Sequence, residues 1–185
     1  CQMDTGLVAP CERPTAAREG QSVKPRPLPK TVTPLADELL SGWLTRLAVT
    51  NHCEVDELLA HIEVDTGQVA MLDFEVEVAA TTAEKISIAA RVAAETVQSL
   101  TFGTMTQTEA LMTAQVAFQS CPDCSRRGLA LKQWRKLWAF DCQICGTQLG
   151  SILIKPDRSR IPEKLVRRAR SGARLLESAV ACNCA

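Results

Sequence analysis

Residues 121–146 read CPDCSRRGLALKQWRKLWAFDCQICG, and two Cys-x-x-Cys pairs, Cys121/Cys124 and Cys142/Cys145, stand in that stretch with 17 residues between them. Each pair turns the chain so that two thiolates face a common centre, and two pairs complete a sulfur tetrahedron at about 2.3 Å from a metal ion. The spacing lies in the range of zinc ribbons and related four-cysteine sites. Unrelated thiols or a redox dithiol would need two correctly spaced pairs by coincidence. The expectation is one structural Zn2+ in a closed shell, with no position left for a substrate. Metal binding of this kind contributes on the order of 10 kcal/mol to folding, more than so small a segment gains by burying Trp134, Leu137, Trp138 and Phe140. Gly128 and Gly146 suit places where the backbone bends around sulfur.

The rest of the composition fits a metal rather than a disulfide framework. The chain has 185 residues, 46% of them hydrophobic, which is enough for one compact domain or two small ones. Its nine cysteines are an odd number, and no basic-then-apolar leader opens the sequence. No apolar run approaches the roughly 18 residues of a membrane span. A cytoplasmic protein without membrane contact is expected. Residue 1 is cysteine and Met3 is the first methionine, as in a fragment or an upstream-extended reading, so the first residues carry little weight.

Charge is unevenly distributed. Residues 31–120 hold 3 basic and 13 acidic groups, whereas residues 121–150 hold 5 and 2, and residues 151–185 hold 8 and 3. An acidic middle and a basic end point to separate surfaces for separate partners. Arg126, Arg127, Lys132, Arg135 and Lys136 crowd the cysteine segment, and Lys164, Arg167, Arg168, Arg170 and Arg174 follow it. These ten cations are the candidates for contact with DNA or RNA phosphate. The competing reading of the first five is that they offset a four-thiolate centre and the acidic half, and that of the last five is a solvated helix face.

Along the chain, residues 1–33 are rich in proline (KPRPLPK) and read as an extended arm. Leu35, Leu39, Leu40, Trp43, Leu44 and Leu47 recur at helical spacing from there, with Thr33 as cap, Pro34 at the first position and Asp37 and Glu38 at the positive end of the dipole. A polar break at 50–52 leads to a second helix carrying Val55, Leu58, Leu59 and Ile62, stopped by Thr66-Gly67. Residues 69–79 alternate apolar and acidic side chains, which fits a strand or a helix with an acidic face. Ile86, Ala89, Ala90, Ala93, Val97 and Leu100 mark a helix or a broken helix pair, and 106–118 reads as another helix. Residues 162–180 read as a basic helix that Gly172 weakens by about 1 kcal/mol. The expected fold is mainly α. A helix-turn-helix-like domain spans 34–118, a four-cysteine zinc-finger or ribbon module 119–150, and a basic helical tail 151–185.

Three blocks of this sequence resemble the TniQ family of transposition target-selection proteins. PLPKTVTPLADELLSGWLTRLAVTNHCEVDELL is similar to the family's Leu-Pro stretch, Ser-x-Trp-Leu helix and turn into a second helix, with Ser41, Trp43, Leu44, Arg46, Leu47, Ala48 and Asn51 matching. IAARVAAETVQSLTF is similar to the next helical segment. QSCPDC followed by QWRKLWAFDCQICGTQL looks like its Cys-Pro-x-Cys, its tryptophan-rich helix and its Cys-x-x-His-Gly knuckle. Cys145 stands where the family usually has histidine, and thiolate is an equally good zinc ligand. Cys53 replaces a capping serine, and no second pair of knuckles follows Leu149, as in a short or truncated member. Cys182-Asn-Cys184 is too closely spaced to replace it. The resemblance implies a non-enzymatic adaptor between target recognition and the transposase and AAA+ ATPase apparatus. It further implies docking on a CRISPR effector complex and homodimerisation in some members, and it puts Trp43 and Arg46 forward as partner-binding residues. The residues themselves favour core for Trp43, Trp134 and Trp138, since tryptophans on amphipathic helices are more often core than partner hot spots.

The residues argue against an enzyme. His52 and His61 lack an evident nucleophile or carboxylate partner, and no glycine-rich phosphate loop is present. The alternative to the adaptor is a zinc-ribbon transcriptional regulator that uses 35–62 as a DNA-binding helix-turn-helix. Glu54, Asp56, Glu57 and Glu63 oppose it, because they would repel phosphate.

Overall fold

The computed structural model describes residues 26–64, 75–114, 116–152 and 162–182. Helices dominate it: α1 (Leu40–Thr50), α2 (Val55–His61), α3 (Ala80–Ala90), α4 (Ala94–Ser99), α5 (Gln107–Leu111) and α6 (Glu163–Ala181). Two-residue strands β1 (Gln119–Ser120) and β2 (Gly150–Ser151) pair antiparallel and close the cysteine segment at its base. The chain is mainly helical, as expected.

The core forms where the apolar spacing of the first 100 residues predicts it. Leu40, Trp43, Leu44 and Leu47 of α1 are buried with Leu58, Leu59 and Ile62 from the α2 region and Ile86, Ala89, Ala90, Val97 and Leu100 from the α3 and α4 region. Trp43 is fully buried, and its indole Nε1 donates to the Val32 carbonyl at 2.7 Å. The 82–100 stretch is a broken pair of helices. Arg91 ends α3 in the left-handed region at φ 57°, and Ala93 lies exposed in the link rather than on the core face. The end of the arm belongs to this body as well, since Leu28 is buried and its N–H donates to the Ala89 carbonyl at 2.9 Å.

Several boundaries differ from the expected ones. The first helix starts at Leu40, five residues after Leu35, and Asp37 sits in the left-handed region at φ 63°. Tertiary pairing overrides the Thr33-Pro34 start: the Leu39 N–H donates to Ala130 at 2.9 Å, and the Lys132 N–H donates to Asp37 at 2.8 Å. Glu38 is therefore not a dipole residue. Its buried carboxylate accepts the Leu35 N–H at 2.9 Å and a two-pronged bond from Arg46 at 2.7 and 2.6 Å. Helix α2 ends at His61, with Glu63 at φ 58°, before Thr66 and Gly67, which lie outside the described residues. Most of 69–79 is likewise outside them. The helix expected over 106–118 shrinks to α5, capped reciprocally by Thr106 and Glu109, because the chain beyond it turns to pair with the cysteine loop. There the Ala114 N–H donates to Arg135 at 2.8 Å.

Gly42 sets the distance between the helical body and the cysteine loop. A Cβ at this position would stand 2.6 Å from the Ala130 nitrogen, a backbone atom that cannot swing aside. Replacing Gly42 with alanine is expected to lower stability by about 2 kcal/mol. Equilibrium urea unfolding of Gly42→Ala against the parent protein measures it.

Candidate metal centre

The first knuckle is a tight turn. The Ser125 N–H donates to the Cys121 carbonyl at 3.0 Å, the Cys124 N–H points to the Cys121 sulfur at 3.5 Å, and Gly128 follows at φ 76°. The second knuckle repeats the device. The Gly146 N–H donates to Cys142 at 2.8 Å with φ 71°, and the Cys142 N–H donates to Thr147 at 2.8 Å. Both glycines thus occupy the bends expected of them.

These turns bring the four sulfurs of Cys121, Cys124, Cys142 and Cys145 within 4.8 Å of one another. Cys145 Sγ lies 3.4 Å from Cys121 Sγ and 3.6 Å from Cys124 Sγ, and Cys142 Sγ lies 3.8 Å from Cys124 Sγ. A tetrahedron with metal–sulfur bonds of about 2.3 Å has sulfur–sulfur edges of about 3.8 Å, so the donor set matches such a site in kind and size. Leu129, Leu131, Trp134 and Leu149 wrap the three buried cysteines. Burial raises the Cys121 and Cys124 thiols. Cys145 is exposed, and the Thr147 hydroxyl first, with the Thr147 N–H and the neighbouring thiols, lowers it to about 6. Thiols driven up by burial have most to gain from a cation at their centre.

The cations of the loop divide sharply. Arg126 and Arg127 are exposed, with only a 3.9 Å contact from Arg126 to Asp123. Lys132, Arg135 and Lys136 are buried, which corrects their expected place on a nucleic-acid surface. Lys132 Nζ donates to the Ser99 carbonyl at 2.5 Å, and Arg135 forms a buried ion pair with Glu75, which also accepts the Ser41 hydroxyl at 2.5 Å. Lys136 pairs with Glu177 of α6 at 2.9 Å. Arg135 is drawn inside by a buried carboxylate, while Lys132 and Lys136 bury their stems and reach out to a carbonyl and a half-exposed carboxylate. The segment 132–135 is a short 3-10 turn rather than the tryptophan-rich helix the resemblance implies, since Asp37 accepts the Gln133 N–H at 2.8 Å. Trp134 and Trp138 are buried, whereas Leu137 is 64% exposed.

Trp43 and Arg46 also lie elsewhere than their expected role requires. Trp43 is core, and Arg46 serves the buried Glu38 carboxylate and the Thr33 carbonyl. Removing either costs folding before it touches any partner.

Helix α6 rests on the loop by one side. Val166, Arg170, Ala173, Glu177 and Val180, spaced as one helix face, are half-buried, and none of its described residues is fully buried. Arg170 grips Asp141 through two bonds of 2.8 and 3.1 Å and stacks 5.6 Å from the Phe140 ring, so it too is taken out of the free cations. Glu177 accepts from Lys136 and from the Trp138 indole. Lys164, Arg167 and Arg168 remain exposed on the outer side, and Arg174 is exposed at the edge of the cleft against the loop.

With this geometry in hand the class is a helical body bearing a four-cysteine cluster that could hold a metal ion. The family model described as TniQ matches residues 29–147, and the chain belongs to the TniQ family. No curated protein and no solved structure matches the chain. None of the described helices is long and apolar enough to cross a membrane.

Burial by itself would raise the Glu177 carboxyl, but the bonds from Lys136 and Trp138 outweigh it and hold it below the ordinary glutamate value. A lowered carboxyl stabilises fully above its ordinary value, near 4.3, and the contribution is lost as pH falls through the lowered one. Acid titration followed by tryptophan fluorescence should therefore show α6 releasing below about pH 4, and Glu177→Gln should abolish that inflection.

Proposed function

We propose that this protein is a non-enzymatic adaptor of DNA transposition that links target-site recognition to an AAA+ ATPase and transposase. Its membership of the TniQ family, over residues 29–147, carries the reading. Transposition machinery is the kind of partner that family membership supports. A CRISPR effector complex as the target-recognition partner, homodimerisation and a cytoplasmic location belong to the same proposal. Residues 34–118 act in it as the protein-binding body, 119–150 as the metal-stabilised joint and 151–185 as the basic tail.

Zinc is the ion proposed for the four thiolates, held by Cys121, Cys124, Cys142 and Cys145. It supplies folding energy to the loop and leaves no open coordination position for chemistry. Protein purified under reducing conditions should carry about one equivalent of zinc. Cys124→Ser should lose most of it, as read by metal analysis.

Nucleic-acid contact is assigned to the exposed cations. Lys164, Arg167 and Arg168 share the outer side of α6 and Arg174 stands exposed on its flank, together spanning about 15 Å of helix, a span that meets successive phosphates along one strand. Arg126 and Arg127 extend the basic surface near the first knuckle. The acidic outer side of α2 disfavours the transcriptional-regulator reading. Changing the four α6 cations to glutamine should lower the salt dependence of DNA binding by about one per cation removed. It should also depress targeted insertion, while the melting temperature stays unchanged. DNA affinity with an unaltered salt slope would refute the assignment.

A further inference from the structure

A groove of about 310 Å³ lies where the end of the arm crosses α2, floored by Leu28, Cys53 and Leu58 and walled by Pro29 and His61. It is held open in advance. The Lys30 N–H donates to Asn51 Oδ1 at 3.1 Å, and Asn51 Nδ2 donates back to the Lys30 carbonyl at 2.9 Å and to the Leu47 carbonyl at 2.8 Å. The arm cannot fall into the groove without breaking these bonds. The volume suits one large apolar side chain, because a single water claims only about 30 Å³.

The rim is acidic. Glu57 lines the groove and Glu54 stands one helical turn before it, both exposed, and the described residues 53–64 carry no lysine or arginine. Lys30, across the groove, is turned to His52, with Nζ 3.3 Å from Nε2. Such a surface repels phosphate and complements a basic peptide.

We propose that this groove receives a short basic segment of a partner protein, with one apolar side chain seated on Leu58 and Cys53 and flanking Lys or Arg against Glu54 and Glu57. The proposal rests on the adaptor reading and names the surface by which the adaptor holds its protein partner. The body and the tail then divide the work by charge. The acidic side takes protein, and the outer side of α6 takes nucleic acid. Because the groove is preformed, affinity is not spent on ordering it.

The test uses overlapping peptides of about fifteen residues, tiled across an AAA+ ATPase and a transposase of the proposed machinery. A peptide of this chain's own residues 158–174 is included. Binding to the full-length protein is read by fluorescence polarisation. The peptides that bind are expected to carry an apolar residue between basic ones and to weaken as salt rises. Affinity should fall about threefold to fivefold in Glu54→Gln/Glu57→Gln, in which glutamine keeps the reach-back bond to the cap. It should fall further in His61→Trp, which fills the groove from an exposed position, and both variants should melt like the parent protein. Three results would overturn the proposal: no tiled peptide binds, the binders ignore both variants, or only the 158–174 peptide binds, which makes this chain's own tail the occupant. A targeted-insertion assay separates the two failures. If only the groove is wrong, the parent and both variants support insertion equally; if the adaptor reading is wrong, insertion does not depend on this protein at all.

Discussion

Four sulfurs gather the two ends of the loop 125–141, and that loop touches the helical body on one side and α6 on the other. Leu131 pairs with Glu38. Lys132 reaches the end of α4, Arg135 reaches Glu75, and Lys136, Trp138 and Asp141 receive α6. A free loop of 17 residues would lose all of this to chain entropy, because each fixed residue costs about 1–2 kcal/mol. Fastening its ends is what makes the contacts affordable.

The charge asymmetry of the sequence is resolved by the same loop. Cations of the basic end meet carboxylates of the acidic middle in the interior, as in Arg135 with Glu75, and carboxylates of their own region where two elements join, as in Arg170 with Asp141. What remains on the surface is sorted more cleanly than the sequence shows. Acids line the outside of α2 and arginines line the outside of α6.

The four cysteines, the core positions of α1 and the apolar face after residue 80 were legible in the sequence, because knuckle spacing and 3.6-residue periodicity are local signals, although the periodicity left one helix or a broken pair open there. The start of α1 was not. Its delay to Leu40 comes from hydrogen bonds to residues 130–132, ninety positions away, which no local propensity records. The buried state of Lys132, Arg135 and Lys136 was hidden for the same reason, since each partner is distant in sequence. One clue was present: three cations interleaved with Trp134 and Trp138 make a poor solvent-exposed stripe. Gly42, on the core side of an otherwise apolar helix, also marked a close backbone approach before the approach itself was visible.

The interlocking of loop and body bears on how such proteins diversify. Carboxylates that neutralise the loop's buried cations stand far from it in sequence, at Glu75 and Glu177, so the cysteine segment does not travel as a self-contained cassette. A chimaera that grafts residues 119–150 from a relative inherits unmatched charges unless those distant acids move with it, which confines recombination to wholesale exchange and leaves the outer faces of α2 and α6 as the parts free to drift.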